Sequence, residues 1–117
     1  MKLLNTSVLI DDLKEGRFEE GAISIVTLLE VLRGVYSEKR GKVKQLLEKA
    51  FNILNIDNDV VLKYCDLYTT LKKQKQLIPD ADLLIAATAI VNNLTLVTKD
   101  KDFERLKKQG LKLELRK

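Results

Sequence analysis

The chain predicts an α/β domain with a mainly parallel sheet of about four strands, on three observations. Short apolar runs alternate with amphipathic stretches from one end to the other. The final run, Leu111 to Leu115, alternates with period two. The 117 residues suffice for one core, and halving them would leave each half marginal, so 1–117 is read as a single domain.

Met1 to Leu4 is short and apolar, a buried strand. Asn5, Thr6 and Ser7 then offer cap chemistry, and Val8 to Glu15 forms a short helix ended by Gly16. Ala22 to Val26 is a second strand. Thr27 to Tyr36 carries Leu28, Leu29, Val31, Leu32 and Val35 at helical spacing, with Gly34 near its end. From Ser37 to Leu54, Val43, Leu46, Leu47, Ala50, Phe51 and Leu54 recur three and four apart, which predicts one amphipathic helix. Asp57 to Gln76 repeats the pattern with Val60, Val61, Tyr64, Leu67, Tyr68 and Leu71. Pro79 introduces Asp80 to Val91, almost wholly apolar after Asp82 and so expected to be the most buried helix. Leu94 to Thr98 is a strand, Asp102 to Lys108 a short helix stopped by Gly110, and Leu111 to Leu115 a half-buried edge strand.

Composition excludes much chemistry. There is no histidine, so no His base, no Ser/His/Asp or Cys/His device and no His metal ligand. One cysteine, Cys65, allows neither a disulfide framework nor a cysteine zinc site. Any metal chemistry must use oxygen ligands, which suit magnesium or manganese. The longest unbroken apolar run, Leu83 to Ala87, is far short of a membrane span. Asn5, Asp11 and Asp12 break the N-terminal apolar stretch, so no signal peptide is read there and a cytoplasmic location is expected. The 21 Lys+Arg against 17 Asp+Glu give a net charge of +4, compatible with nucleic acid. Lys39, Arg40, Lys42 and Lys44, with Lys72, Lys73 and Lys75, form basic faces or plain solvated helix surface.

Oxygen side chains collect where strands end. Asn5 follows the first strand, Glu30 lies in the first turn after the second, Asp80 and Asp82 open the most buried helix, and Asp100 follows Leu94–Thr98. In such a sheet ligands bind outside the carboxyl ends of the strands. Acids gathered there repel one another unless a cation sits among them. A magnesium or manganese ion would relieve that repulsion, activate water and offset phosphate charge. Each acid also has a structural use: Thr27-Leu28-Leu29-Glu30 has the form of a capping box, and acids in a first turn suit the helix dipole. Asp11, Asp12, Glu19 and Glu20 are expected in solvent, and Tyr64, Tyr68 and Phe51 on apolar faces. Thr6, Ser7 and Thr98 have no base to activate them and are expected to cap or support.

Four motifs carry a resemblance. Leu-Asn-Thr-Ser-Val-Leu-Ile at 4–10, Ile-Ser-Ile-Val-Thr-Leu-Leu-Glu-Val-Leu-Arg-Gly at 23–34, Pro-Asp-Ala-Asp-Leu-Leu-Ile-Ala-Ala-Thr-Ala at 79–89 and Leu-Val-Thr-Lys-Asp-Lys-Asp-Phe at 96–103 resemble the PIN domain, more narrowly VapC-type toxins of toxin–antitoxin modules. The resemblance implies a three-layer α/β/α fold, a homodimer, and an endoribonuclease dependent on Mg2+ or Mn2+ and silenced by a VapB-type antitoxin. It puts the family's acidic quartet, catalytic and metal-binding, on Asn5, Glu30, Asp82 and Asp100, with Asp80, Asp102, Thr6 and Thr98 in support. Asn5 departs from the pattern, which usually has aspartate there. One negative charge is lost, so metal affinity and activity should weaken. Either a naturally weak member or an introduced substitution explains it, and the three intact acids favour the second. The homodimer is expected to use apolar residues of the Ser37–Leu54 and Asp57–Gln76 helices. Alternatives are a non-catalytic PIN homologue that binds RNA or antitoxin, and a PIN nuclease of RNA maturation. A receiver-like phosphoacceptor is disfavoured because Asp11 and Asp12 fall inside the first helix.

Overall fold

The computed structural model describes residues 1–117 and contains one sheet of five parallel strands. These are β1 (Lys2–Leu4), β2 (Ala22–Ser24), β3 (Asn52–Leu54), β4 (Thr95–Thr98) and β5 (Lys112–Leu115), in the order β3-β2-β1-β4-β5. The helices are α1 (Thr6–Glu15), α2 (Ile25–Arg33), α3 (Ser37–Ala50), α4 (Asn58–Lys73) and α5 (Asp80–Val91), followed by a 3-10 helix, Lys101–Gln109. No helix is long and apolar enough to cross a membrane.

Strand alternation builds two cores. Leu3, Ala22 and Leu96 face one side of the sheet, against Leu67 and Leu71 of α4, Ile85 of α5, and Phe103. Their chain neighbours Leu4, Ile23 and Val97 face the other side, against Val8 of α1, Leu28 of α2 and Leu47 of α3. Since both faces are covered, the strands are apolar throughout, as parallel strands are. The result is a three-layer α/β/α domain. Each fully buried leucine contributes roughly 2 kcal/mol before chain entropy is counted. As expected, α5 is the most buried helix, with Leu83 and the run from Ile85 to Ala89 out of solvent.

The order in which strands are added switches direction at β1. The chain runs from β1 to β2 and β3, then crosses back to place β4 on the other side of β1. The connections leaving β1 and β4 therefore diverge and open a crevice at their carboxyl ends. Gly21 lets β2 enter beside β1, because a Cβ there would lie 2.7 Å from the Lys2 carbonyl oxygen.

Several boundaries differ from the sequence reading. The sheet has five strands rather than about four, because Asn52–Leu54 pairs with Ala22–Ser24 instead of ending the preceding helix. Phe51 is already extended, at φ −132° and ψ 150°. The second strand stops at Ser24, whose Oγ accepts from the Val26 amide at 3.0 Å and caps α2. The helix thus starts two residues before Thr27, and no Thr27–Glu30 capping box forms. The first helix starts at Thr6 and not Val8, with Asn5 as its cap. Helices α3 and α4 lie in different layers.

Asp12 is also not in solvent. Only 3% exposed, it accepts from Arg116 Nη1 at 3.0 and 3.3 Å, and Arg116 also pairs with Glu19. The Arg116 amide donates to the Thr98 carbonyl at 2.8 Å, so this ion pair ties the C-terminal end to α1 and β4.

Candidate active site

Asn5, Thr6, Ser7, Ile10, Glu30, Asp82, Lys99 and Asp100 line one open crevice of 450 Å³ at this switch in strand order. Asn5 sits at its floor, 6% exposed and held at both ends of its amide. Its Oδ1 accepts from the Thr6 amide at 2.9 Å, which caps α1. Its Nδ2 donates to Thr98 Oγ1 at 2.8 Å, across the seam between β1 and β4. Thr98 Oγ1 also accepts from the Asp100 amide at 3.1 Å, so the buried hydroxyl links the first and last site positions.

Glu30 is reached from the opposite wall. Thr6 Oγ1 donates to Glu30 Oε1 at 2.6 Å, a short bond as expected for a carboxylate acceptor. Thr6 Oγ1 also lies 3.0 Å from Thr27 Oγ1. A hydroxyl has one proton, so with Thr6 donating to Glu30, Thr27 donates to Thr6. Thr27 is wholly buried, and its job is to orient Thr6 rather than to cap a helix. On the outer side, Arg33 Nη2 stands 3.8 Å from Glu30 Oε2.

Asp82 is half-buried in the first turn of α5. Burial first, then the charges of Asp100, Glu30 and Asp102, push its carboxyl up to about 6. Besides burial, the shift reflects acids brought together from three separate segments. Asp100 caps the 3-10 helix, accepting from the Asp102 amide at 2.8 Å.

The supporting acids lie outside the crevice lining. Asp80 accepts from the Tyr64 hydroxyl at 2.7 Å, a bond that pushes the phenol up to about 12 and keeps it a donor. Tyr64 and Tyr68 stack with ring centroids 6.2 Å apart. Asp102 pairs with Arg105 Nη2 at 3.3 Å. Ser7 lines the crevice beside Thr6, and Lys99 and Ile10 line it without having been read from the sequence as site residues. The position of Lys99 between Thr98 and Asp100 was the available signal for it.

The donor set is oxygen only, as magnesium or manganese prefers. No three acidic or thiol side chains close into a ready cage for an ion. Magnesium does not require one, since it keeps several waters and is held through one or two carboxylates. The raised Asp82 carboxyl belongs to a cluster whose repulsion a cation would relieve. The residues present therefore fit a divalent ion.

Beside the crevice, on the outer side of α2, lies an apolar groove of 380 Å³. Ile25, Leu28, Leu29 and Leu32 line it, with Arg33, Arg40 and Lys44. Arg40 Nε is fixed by the carbonyls of Leu32 and Val35 at 3.0 and 2.8 Å.

Comparison with known proteins gives consistent likenesses. The PIN domain matches residues 2–109. Ribonuclease VapC1 of Methanocaldococcus jannaschii is 46% identical over 115 residues, covering 95% of this chain and 85% of that one. The structure of VapBC-1 from nontypeable Haemophilus influenzae matches with a TM-score of 0.83 at 25% identity, over 97% of this chain and 96% of that one. VapBC2 from Rickettsia felis, bound to a DNA fragment from their promoter, matches with a TM-score of 0.78 at 25% identity, over 99% of this chain and 98% of that one.

Proposed function

The chain belongs to the PIN domain family, and from that premise we propose that it is the toxin of a VapBC-type module, an endoribonuclease that hydrolyses RNA phosphodiester bonds. The observation that carries this reading is the crevice at the switch in strand order, where Asn5, Glu30, Asp82 and Asp100 meet. The ribonuclease name of the Methanocaldococcus jannaschii relative and the VapBC assemblies among the structural neighbours support it.

Glu30, Asp82, Asp100 and the Asn5 amide oxygen would hold Mg2+ or Mn2+. Such an ion, when bound, lowers the pKa of a water and offsets charge on the phosphate. The chain's own residues set the geometry around it. Thr6 holds Glu30 in place, Thr98 ties position 5 to Asp100, and Asp102 adds its charge to that around Asp82. No histidine or other neutral base stands by, so the carboxylates must orient the attacking water. Asn5 leaves this set one charge short, and the chain as it stands should cleave slowly or not at all. In the Asn5→Asp variant the Thr98 hydroxyl can rotate and donate to the new carboxylate, so the change fits the fold.

The partner we propose is a VapB-type antitoxin, seated in the groove on α2. The apolar floor suits one face of an amphipathic segment, and Arg33, Arg40 and Lys44 suit acidic flanks. Arg33 touches both the groove and Glu30, so a bound segment would lie over the mouth of the crevice. We also propose a homodimer through the exposed Val61 and Leu62 of α4 and Leu46 of α3, with the seam passing around the β3 edge. A cytoplasmic location follows from an RNA substrate.

The Asn5→Asp chain, incubated with RNA and Mn2+, should cut it, and EDTA or an equimolar VapB-type antitoxin should stop the cutting. Metal-independent degradation, or none under any condition, would overturn the nuclease reading. The second outcome would favour the alternative that Asn5 itself supports, a non-catalytic homologue that binds RNA or antitoxin.

A further inference from the structure

The crevice contains one cation to which hydrolysis assigns no task. Lys99 is the only basic side chain in its lining. It leaves the end of β4 between Thr98 and Asp100, its side chain 44% exposed. Its ammonium ion-pairs with Asp11 of α1 and with none of the crevice acids Glu30, Asp82 and Asp100.

This arrangement meets an electrostatic need. Three crevice carboxylates face an RNA strand that is itself a polyanion. A single divalent ion offsets only two of those charges, so a strand entering the crevice is still repelled. A lysine is a compact charge on a flexible stem with three donors, well suited to a phosphate. Its pair with Asp11 is partly exposed and uses one of three donors, so a phosphate can share the ammonium with Asp11 at little cost.

We propose that Lys99 binds a phosphate of the RNA strand at the mouth of the crevice, next to the phosphate that is cut. Asp11 is its positioning residue, holding the ammonium at the mouth and away from the acids below. The assignment rests on the RNA-cleaving function above and adds a substrate contact to it.

The test uses a labelled, mixed-sequence single-stranded RNA and the full chain with Asn5, across a series of KCl concentrations. Lys99→Ala should weaken binding about tenfold and lower the slope of log Kd against log salt by about one. Lys99→Arg should restore that slope. Asp11→Asn should weaken binding less and keep it. Lys112→Ala removes the same charge at the opposite, amino end of the strands, where Lys112 pairs with Thr95, and should leave the slope alone. An unchanged slope in Lys99→Ala, or an equal fall in Lys112→Ala, overturns the assignment. So does a Lys99→Ala variant whose only change is tighter Mn2+ binding, since Lys99 would then merely quiet the acids. Cleavage by Asn5→Asp is measured in parallel. If it cuts while Lys99→Ala binds RNA normally, only the Lys99 assignment falls. If it does not cut and the chain binds no RNA, both fall.

Discussion

Helix α2 has two sides with opposite chemistry. Glu30 turns into a polar crevice, while Leu28, Leu29 and Leu32 floor an apolar groove. The crevice is built from residues far apart in the chain, locked by short hydrogen bonds such as Thr6 to Glu30 at 2.6 Å and Asn5 to Thr98 at 2.8 Å. The groove is built mainly from consecutive turns of one helix, and Leu29 stands 64% exposed in it. One is organised to fix charges, the other to be covered. On the function proposed above, the nine residues of α2 would serve both catalysis and control, and Arg33 is where the two sides meet.

If the two sides are separable, acid removal should leave partner binding intact. In an Asn5→Asp background, Glu30→Gln or Asp100→Asn should reduce RNA cleavage about a hundredfold or more, the loss of roughly 3 kcal/mol of transition-state stabilisation. Titration calorimetry with the antitoxin should show affinity within a few fold for Asp100→Asn. An equal collapse of both would merge the two regions into one.

Arg116→Ala should perturb neither region's chemistry but weaken the frame behind the crevice. It leaves the buried Asp12 carboxylate without its partner, and urea unfolding should show a loss of about 2 kcal/mol. A wild-type midpoint would mean that the pair does not hold the C-terminal end.

Leu32→Asp should act the other way from acid removal. It places a charge against the groove floor and should cost at least about tenfold in antitoxin affinity, with cleavage by the Asn5→Asp form retained. Undiminished affinity would move the partner off this groove.

The smallest effect concerns Asp82. Its folded carboxyl is raised to about 6, so without metal the folded state holds that proton more tightly than the unfolded chain does. The stability this gives is complete at low pH and is lost as pH rises through about 6. Asp82→Asn should therefore stabilise the metal-free chain at pH 7, by about 1 kcal/mol after allowing for solvent screening of a half-exposed group. The gain should vanish below pH 4. Equal gains at both pH values would point to packing, not charge.

The two regions were not equally legible in the sequence. The strand ends could be placed, because Met1–Leu4 and Leu94–Thr98 are apolar runs with polar residues directly after them. That placed Asn5 and Asp100. Glu30 could be placed near the second strand, but Thr27 and Glu30 mimicked a capping box while their actual partner, Thr6, lies in another segment. The strand β3 was hidden because Ile53 and Leu54 continue the apolar spacing of α3, and only pairing with β2 makes them extended. Asp12 looked solvated because its partner Arg116 is 104 residues away. Non-local pairing explains each miss, and neither the desolvation of Asp82 nor its repulsion by acids from other segments has a local signature.

If position 5 controls the activity of an otherwise intact acidic site, exchanging its amide for a carboxylate changes the cleavage rate. RNA cleavage rates of the chain with Asn5 and of its Asn5→Asp variant are compared at saturating Mg2+. Asn5→Asp should be faster by about a hundredfold or more, the effect of a full carboxylate in place of an amide dipole beside a divalent ion. Equal rates would contradict it, because position 5 would then not act as a charged ligand.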